Sequence, residues 1–469
     1  MKPKHPHPGG THRGNVQETT CHRRMRIIPG VMLIIFLAAS QATPNEPDIP
    51  VSSAEILADA LAHSLVLKSS DQDIAAARAR MLQARSQFLP SLNLNARAGH
   101  YTGLEDAAFG PDIIIPTVDN QYAASATLSQ PLFTGGRIVK QSQSAEYQAN
   151  AAAHSRLSAE ADLRLQALTT YWTWSKTFHG IKTLRSAVAR MEAHAADMHN
   201  LYQAGLATDN DTLSTDVLLD QTRLQLETAQ RRNQLARAQI AFLVGYSLPG
   251  NAVPESAPEP LRTGIAPEDE ALATAKTNRT EYKALQLELN AAQAQVSASR
   301  ANYFPSLYAL ARYEQANPNL LDFPPQDQWN DDAYIGVTLN WNILDWGLTR
   351  GKVSETVARA AQARLRLAQE DERITLEVRQ ARIDLLDSIS RLTVTERAEQ
   401  SALRNLQSAT DLWHNGLLRH SELLDAHTKL TETQHARLTA RTDVILAQTF
   451  VNYALGRLKD EPQANVAQR

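Results

Sequence analysis

The sequence predicts a mainly α-helical protein in which one long unit, with two β-strands and a pair of long coiled-coil helices, occurs twice. Three observations predict this fold class. Glycine motifs recur at constant spacing, long segments nearly free of proline and glycine separate them, and short stretches of alternating apolar and polar residues precede each long segment. A unit of this length that is repeated once indicates an internal duplication and not a solenoid array.

The duplication is visible in pairs of motifs. QPLFTGGR (130–137) corresponds to NWNILDWG (340–347), QAGL (203–206) to HNGL (414–417) and LVG (243–245) to ALG (454–456). The differences Gly347−Gly136, Gly416−Gly205 and Gly456−Gly245 are each 211. FLPSL and YFPSL are offset by 215, from Pro305−Pro90, so a short insertion lies between these landmarks in the first copy.

The N-terminus predicts an exported protein. Residues 1–42 carry six basic residues and one acid, followed by the apolar run Val31 to Ala39 and the small residues Ser40 and Ala42. This is the pattern of a secretory signal peptide cleaved after Ala42, with Met25 as a plausible true start. The alternative is a disordered tail with a chance apolar patch.

Charge and cysteine content exclude several function classes. Removing 1–42 takes away a net charge of +5, so the mature chain has −3 − 5 = −8. An acidic exported chain is a poor candidate for nucleic-acid binding. The single cysteine, Cys21, precedes the apolar run, so it is not a lipid-bearing first residue of the mature chain, and disulfides and cysteine metal sites are excluded.

Each copy is expected to begin with one helix, roughly Ser53 to Gln87 and Pro267 to Asn302, which Pro90 and Pro305 bring to an end. Beyond the signal peptide no apolar stretch reaches the length of a transmembrane helix of about 20 residues. Any membrane insertion must therefore come from strands.

Each copy contains two segments of strict alternation. The apolar positions are Leu92, Leu94, Ala96, Ala98 and Tyr122, Ala124, Ala126, Leu128 in the first copy, and Leu307, Ala309, Ala311, Tyr313 and Ile335, Val337, Leu339, Trp341 in the second. Alternating segments of about ten residues have the length of a tilted membrane strand. The alternative is a pair of soluble hairpins, because this signal is weak for each segment; the signal peptide favours a membrane β-barrel portion.

Four strands cannot close a barrel, and an open sheet edge cannot lie in lipid. The strands must therefore pair with those of other chains. Two chains give eight strands, a barrel filled by its own side chains, whereas three give twelve and leave room for a lumen. A conduit thus requires at least a trimer.

Long helices are expected from Gly135 to about Tyr202 and from Leu348 to His414, each a rod on the order of 100 Å at ~1.5 Å per residue. Gly205 and Gly416 are expected at their C-terminal tip turns, followed by return helices. A heptad seam of alternating large and small residues predicts coiled-coil packing of these helices. It comprises Leu423, Leu430, Val444, Val451, Leu458 with Ala426, Thr433, Ala440, Ala447, Ala454, and Thr212, Leu219, Leu226, Ile240 with Thr215, Thr222, Ala229, Ala236.

These elements predict five segments. They are a signal peptide (1–42), a first repeat (43–248) with a helix, a hairpin (90–133) and a long helix pair (135–245), a proline-rich extended linker (249–269), a second repeat (270–458) with a helix, a hairpin (305–344) and a long helix pair (347–457), and a disordered tail (459–469).

This ordered set resembles the TolC family of outer-membrane efflux factors. The resemblance rests on the duplicated units, the predicted signal peptide, the junction motifs QPLFTGGR and LDWG, and GL…LLDA after the second turn, and it extends from about Ser53 to Leu458. It implies a trimeric α/β-barrel channel with a twelve-stranded barrel in the outer membrane and a twelve-helix periplasmic tunnel. It further implies a passive exit duct for efflux or type I secretion that docks to an inner-membrane pump and a periplasmic adaptor.

The resemblance also implies that carboxylates near the tip turns (200–213 and 412–425) form rings around the periplasmic aperture and select cations. The matching positions are Asp211, Glu422 and Asp425. Asp211 and Glu422 have an alternative role, because acids stabilise the first turn of a helix. Trp413 and Leu418 stand where some members have polar groups, which leaves open what holds the tip closed.

No catalytic motif is present, so we expect no enzyme activity, catalytic residue or cofactor. His414, His420, His427 and His435 are spaced 6, 7 and 8 apart, and none of these spacings is i,i+4; we therefore expect solvated side chains and no metal site. A pH-sensitive gate at His420 is a further hypothesis. The alternative function is a periplasmic coiled-coil scaffold or adaptor without a pore.

Overall fold

The computed structural model describes residues 47–110, 113–115, 117–257, 259 and 266–458. The predicted signal peptide and the tail from 459 lie outside the described residues. The two repeats share one succession of elements, in which helices are followed by two strands of a sheet and then by a long helix pair.

The first repeat contains the following elements: β1 (Ile49–Val51), α1 (Ser53–His63), α2 (Leu65–Ser86), β2 (Ser91–His100), β3 (Ala107–Phe109), β4 (Ile113–Ile115), β5 (Asn120–Phe133), α3 (Arg137–Gln203) and α4 (Asp209–Val244). The second contains β6 (Ala252–Pro254), α5 (Glu268–Asn278), α6 (Thr280–Arg300), a 3-10 turn (Ala301–Tyr303), β7 (Ser306–Asn317), β8 (Asn330–Asn340), α7 (Leu348–His414) and α8 (His420–Ala454).

The long helices confirm the prediction from the proline- and glycine-poor segments. Both α3 and α7 contain 67 residues, which corresponds to about 100 Å at ~1.5 Å per residue. Each follows a glycine of positive φ, Gly136 or Gly347, where the chain leaves the sheet. The predicted heptad seam is also confirmed, since Leu423, Leu430 and Ala440 are almost fully buried.

The prediction of one continuous helix at the start of each repeat is wrong. A single extended residue divides it: Ser64 lies between α1 and α2, and Arg279 between α5 and α6. The offset 279 − 64 is 215, the same as that of the two prolines, so the break belongs to the duplicated unit. Each break packs closely against a glycine at the end of a return helix. A Cβ added to Gly245 would lie 2.4 Å from the His63 ring, and one added to Gly456 would lie 3.0 Å from the Arg279 backbone nitrogen.

A packed core surrounds the middle of α3. Tyr171, Trp172 and Trp174 are buried there, and the Tyr171 hydroxyl donates to the Val51 carbonyl at 2.9 Å. Strand β1 pairs in parallel with β6, which belongs to the segment predicted as an extended linker. Residues 252–254 of that segment are therefore part of the fold, whereas 258 and 260–265 lie outside the described residues.

The four longer strands form one antiparallel sheet in the order β2-β5-β7-β8. The first two strands come from the first repeat and the last two from the second. The four alternating segments of the sequence are thus confirmed as strands, and the duplication places them side by side.

Candidate functional site

The sheet has one apolar and one polar face. Registered pairs connect Leu94 to Ala126, Ala126 to Tyr313 and Tyr313 to Ala333, and a second row connects Leu92, Leu128, Ala311 and Ile335. Because side chains alternate between faces along a strand, these rows lie on the same side of the sheet. Six of the eight members are exposed in the single chain, Leu94 by 77% and Ile335 by 86%, and the other two, Ala126 and Ala311, are partly exposed.

The opposite face carries the polar partners. One row across it contains Asn95, Ser125, Glu314 and Asp332. An uncovered apolar face opposite a polar one is the pattern of strands with lipid on one side and water on the other. Strands β2 and β8 each have one edge that pairs with no other strand in the described ranges. No helix of the described residues combines the length and apolar character needed to span a membrane.

The other end of the long helices carries the predicted tip residues. Here α3 turns into α4, and α7 into α8. Gly205 and Gly416 have φ of +74° and +70°, and each closes its turn with the same pair of hydrogen bonds. In the first bond the Leu206 or Leu417 amide donates to the carbonyl of Leu201 or Leu412, and in the second the glycine amide donates to the carbonyl of Tyr202 or Trp413. This is the Schellman arrangement, which favours glycine at the left-handed position.

The three predicted aperture carboxylates lie at this tip in different surroundings. The Asp211 carboxylate accepts hydrogen bonds from the Thr208 hydroxyl at 2.6 Å and the Thr208 amide at 3.1 Å, which forms a capping box. These bonds lower the pKa of Asp211 below its usual value. The geometry thus supports the capping role that the sequence left open for Asp211.

Glu422 and Asp425 are exposed. Glu422 lies in the first turn of α8, whose N-cap residue Arg419 makes no side-chain cap. Asp425 lies on the same helix, beyond Glu422. Both carboxylates are therefore accessible to water and ions at the tip, and their assignment to the aperture stays a prediction.

Behind these acids lies a histidine cluster, defined here as His194, His420, His427, Trp413 and Thr215. The buried His194 ring lies 5.2 Å from the His420 ring, 5.5 Å from that of His427 and 5.4 Å from that of Trp413, measured between centroids. His194 and His420 are stacked, with an interplanar angle of 21°. The cluster joins α3, α4, α7 and α8, and all four tip helices therefore meet in it.

Hydrogen bonding assigns the tautomer of His420. The Thr215 hydroxyl lies 2.8 Å from the Asp211 carbonyl and 2.8 Å from His420 Nε2. Because a hydroxyl has one hydrogen, which the carbonyl accepts, His420 Nε2 donates to Thr215 and Nδ1 carries the lone pair. His420 Nδ1 and His194 Nε2 are buried and have no hydrogen-bond partner among the described residues.

The environment of the cluster disfavours charged imidazoles. Burial, with smaller effects from neighbouring histidines, lowers the pKa of His194 to about 4. Burial and then the Arg190 guanidinium lower the pKa of His427 to about 4. Burial lowers the pKa of His420 as well, against the opposing effect of Asp211. At neutral pH the three rings are therefore uncharged.

The expectation of solvated histidines is wrong for His420 and His427, whereas His414 and His435 are exposed as expected. Spacing along α8 could not reveal the cluster because its centre, His194, comes from α3. The sequence did contain one signal, because His194 lies 11 residues before Gly205 and His427 lies 11 residues after Gly416. Trp413 and Leu418 pack partly buried against the seam at the tip.

Comparison with known proteins identifies the type of chain. The model of a family described as outer membrane efflux protein matches residues 56–246 and 271–457. The chain is 23% identical over 410 residues to the solvent efflux pump outer membrane protein SrpC of Pseudomonas putida, covering 86% of this chain and 84% of that protein. It is 22% identical over 411 residues to the outer membrane protein TolC of Salmonella enteritidis, covering 84% and 80%.

Solved structures agree in fold. The chain resembles the crystal structure of CusC with a TM-score of 0.74 at 17% identity, covering 87% of this chain and 93% of that one. It resembles the outer membrane protein VceC from Vibrio cholerae with a TM-score of 0.73 at 20% identity, covering 86% and 96%.

Proposed function

The chain belongs to the outer membrane efflux protein family, and from that premise we propose that three copies form a passive exit duct. Family membership makes outer-membrane efflux its function and the outer membrane its location. The number of copies, the route through them and the partners are the proposal. The alternative of a periplasmic scaffold without a pore is not favoured.

The observation that carries the proposal is the two-faced sheet with two unpaired edges. Strands β2 and β8 run in opposite directions, so β8 of one copy can pair with β2 of the next in the antiparallel manner of the rest of the sheet. Repetition around an axis removes every edge, as lipid requires. Three copies give twelve strands and a lumen lined by the polar face.

The long helices continue the same axis. Each copy contributes α3, α4, α7 and α8, so three copies provide twelve helical segments beyond the barrel. A tunnel built from rods of about 100 Å reaches well beyond an outer membrane whose hydrocarbon core is about 30 Å thick. We propose that its tip meets a periplasmic adaptor and an inner-membrane pump, which supplies the energy. No covalent chemistry is required of this chain.

At the tip, threefold repetition places copies of Glu422 and Asp425, together with the capped Asp211, around one axis. Rings of carboxylates attract cations and repel anions. We propose that Glu422 and Asp425 dominate the selectivity of the aperture, because their carboxylates are exposed while that of Asp211 is bound to Thr208.

The experiment is to express the full chain with its N-terminal segment, fractionate the cells, and measure the molar mass of the detergent-extracted protein by light scattering. The proposal predicts recovery in the outer membrane at three times the chain mass. Release with the periplasm, or a monomer, supports the scaffold and contradicts the duct.

A further inference from the structure

We propose that the histidine cluster holds the two helix pairs together at the tip while its imidazoles are neutral, and releases them when it is protonated. This inference rests on the proposed function, because it concerns the regulation of the same aperture. It assigns to this chain the contact that the sequence left open at Trp413 and Leu418.

The cluster lies where the two helix pairs touch at the tip. Farther from the tip, α4 and α8 border a groove of about 1020 Å³ whose floor is α3. At the tip the hydrogen bond between Thr215 and His420 connects α4 directly to α8, and His194 on α3 stacks on His420. Trp413 extends the contact to α7. Separating the two helix pairs at the tip therefore requires the cluster to come apart.

The stacked geometry of the rings suits neutral imidazoles and not a shared metal ion. In stacked imidazoles the nitrogen lone pairs lie in nearly parallel planes and do not converge on one point, so a metal ion has no shared position among them. No group of three metal-ligating side chains is found in the part of the chain that the structure describes. Stacking of neutral rings is favourable, whereas two imidazolium rings in contact repel each other.

The groups around the cluster disfavour an added proton. The groups that face it are Arg190 on α3, Asp211 on α4 and His414 on α7, besides the three histidines themselves. One carboxylate therefore faces one permanent cation and up to four imidazoles. A proton added to the packed cluster meets more positive than negative charge and little water.

A fall in pH is expected to favour the separated tip. Imidazoles that are hydrated in a separated tip regain a pKa of about 6.5. Because the pKa is lower in the packed tip, the packed state is favoured above pH ~6.5 and loses stability as the pH falls from there towards about 4. Consider one histidine whose pKa is about 4 in the packed tip and about 6.5 when hydrated. Between pH 8 and pH 5, the population of the separated tip relative to the packed tip then rises about 30-fold.

The test uses the reconstituted full-length mature protein in planar bilayers, recorded at pH 8 and pH 5. The variants His194→Phe and His427→Phe are combined, because phenylalanine keeps an aromatic ring in place but takes up no proton. His199→Phe, at an exposed position near the end of α3 and outside the cluster, is the control. We expect open probability to rise at least tenfold at pH 5 in the wild type and the control, and to stay low in the double variant.

A second readout separates this proposal from the duct itself. Spin labels on cysteines at the exposed Leu213 and Ser421 report the distance between α4 and α8, and the mature chain has no other cysteine. We expect this distance to increase at pH 5 in the wild type and not in the double variant. A change in distance without any current supports the proposed role of the cluster and overturns the duct. The proposed role of the cluster is overturned if current and distance are both independent of pH. It is also overturned if the pH response persists in the double variant.

Discussion

The two repeats have the same backbone but different chemistry at the tip. Their long helices both contain 67 residues, and their turns use glycines of the same conformation 211 positions apart. The side chains of the histidine cluster have no such symmetry. Subtracting 211 from His420, His427 and Trp413 leads to Asp209, Asp216 and Tyr202, and adding 211 to His194 leads to Asn405.

This difference separates the positions that the fold requires from those for which we propose a role at the aperture. Turn glycines, strand alternation and seam residues recur because both copies need the same path of the chain. The cluster occurs once, between the repeats, where four unlike helix ends meet. We expect substitutions at shared positions to reduce stability or insertion equally in both repeats. Substitutions at unshared positions should have different effects in the two repeats.

The largest effect is expected on the shared apolar face of the sheet. Leu94→Arg in the first repeat and Ile335→Arg in the second place a cation in lipid, which costs about 2–4 kcal/mol near the bilayer centre in each chain of a trimer. Outer-membrane recovery of both variants should fall alike. Asn95→Arg and Thr338→Arg, on the polar face of the same strands, are the controls and should insert normally. Normal insertion of Leu94→Arg contradicts the assignment of the lipid face.

The two helix breaks occupy equivalent positions in the repeats but carry different residues, Arg279 and Ser64. The side chain of Arg279 is 1% exposed and pairs with Glu281 and Glu377, each at 2.5 Å. Removing one partner of a buried pair costs 3–5 kcal/mol; because both glutamates keep some access to water, we expect about 3 kcal/mol for Arg279→Ala.

Ser64 occupies the equivalent break and caps the Leu67 amide with its hydroxyl. Ser64→Ala should cost about 1 kcal/mol, the usual value of an N-cap. Denaturant unfolding followed by circular dichroism measures both variants. Equal losses of stability would contradict the different roles of the two residues.

Gly416 and Gly456 have the same left-handed conformation but different surroundings, and their substitution is expected to have a smaller effect on stability. Gly416→Ala should cost about 1–2 kcal/mol for a left-handed alanine, since no other atom of the described residues lies within 4 Å of the added carbon. Gly456→Ala should cost about 1–2 kcal/mol more, because its carbon would lie 2.9 Å from the Asn278 Cβ. Thermal unfolding of the two variants tests the difference, and similar midpoints would show that the close approach relaxes freely.

The smallest effect concerns the caps of the return helices. Thr208→Ala removes a capping box from α4 and should cost about 1 kcal/mol. Arg419, at the equivalent position of α8, makes no side-chain cap, and Arg419→Ala should change stability by less than ~0.5 kcal/mol. Amide hydrogen exchange in the first turn of each helix measures both; faster exchange in the Arg419 variant alone would reverse the assignment.

Much of the fold follows from local patterns. Strands β2, β5, β7 and β8 follow from alternation, and α3 and α7 from the lack of helix breakers, because these signals extend over many residues. Strands β1 and β6 have three residues each, too few for a period to show. The breaks at Ser64 and Arg279 were missed because neither residue is proline or glycine, and the packing against Gly245 and Gly456 stabilises them.

The site was less predictable than the fold. Glu422 and Asp425 could be selected from position and charge near a turn, and their role at the aperture is still a prediction. The histidine cluster depends on contacts between His194 and residues more than two hundred positions away. No spacing within one helix reports such a contact, although the register of the two tip turns indicates it once the helices are paired.

The most direct measurement is the single-channel conductance of the mature protein in planar bilayers, with Glu422→Gln and Asp425→Asn alone and combined. We predict discrete openings that favour cations, with selectivity reduced by each substitution and lost when both are present, because we propose that the exposed carboxylates line the aperture. Absence of any current under all conditions would contradict a duct. Openings whose selectivity the substitutions leave unchanged would keep the duct but remove its filter from the tip.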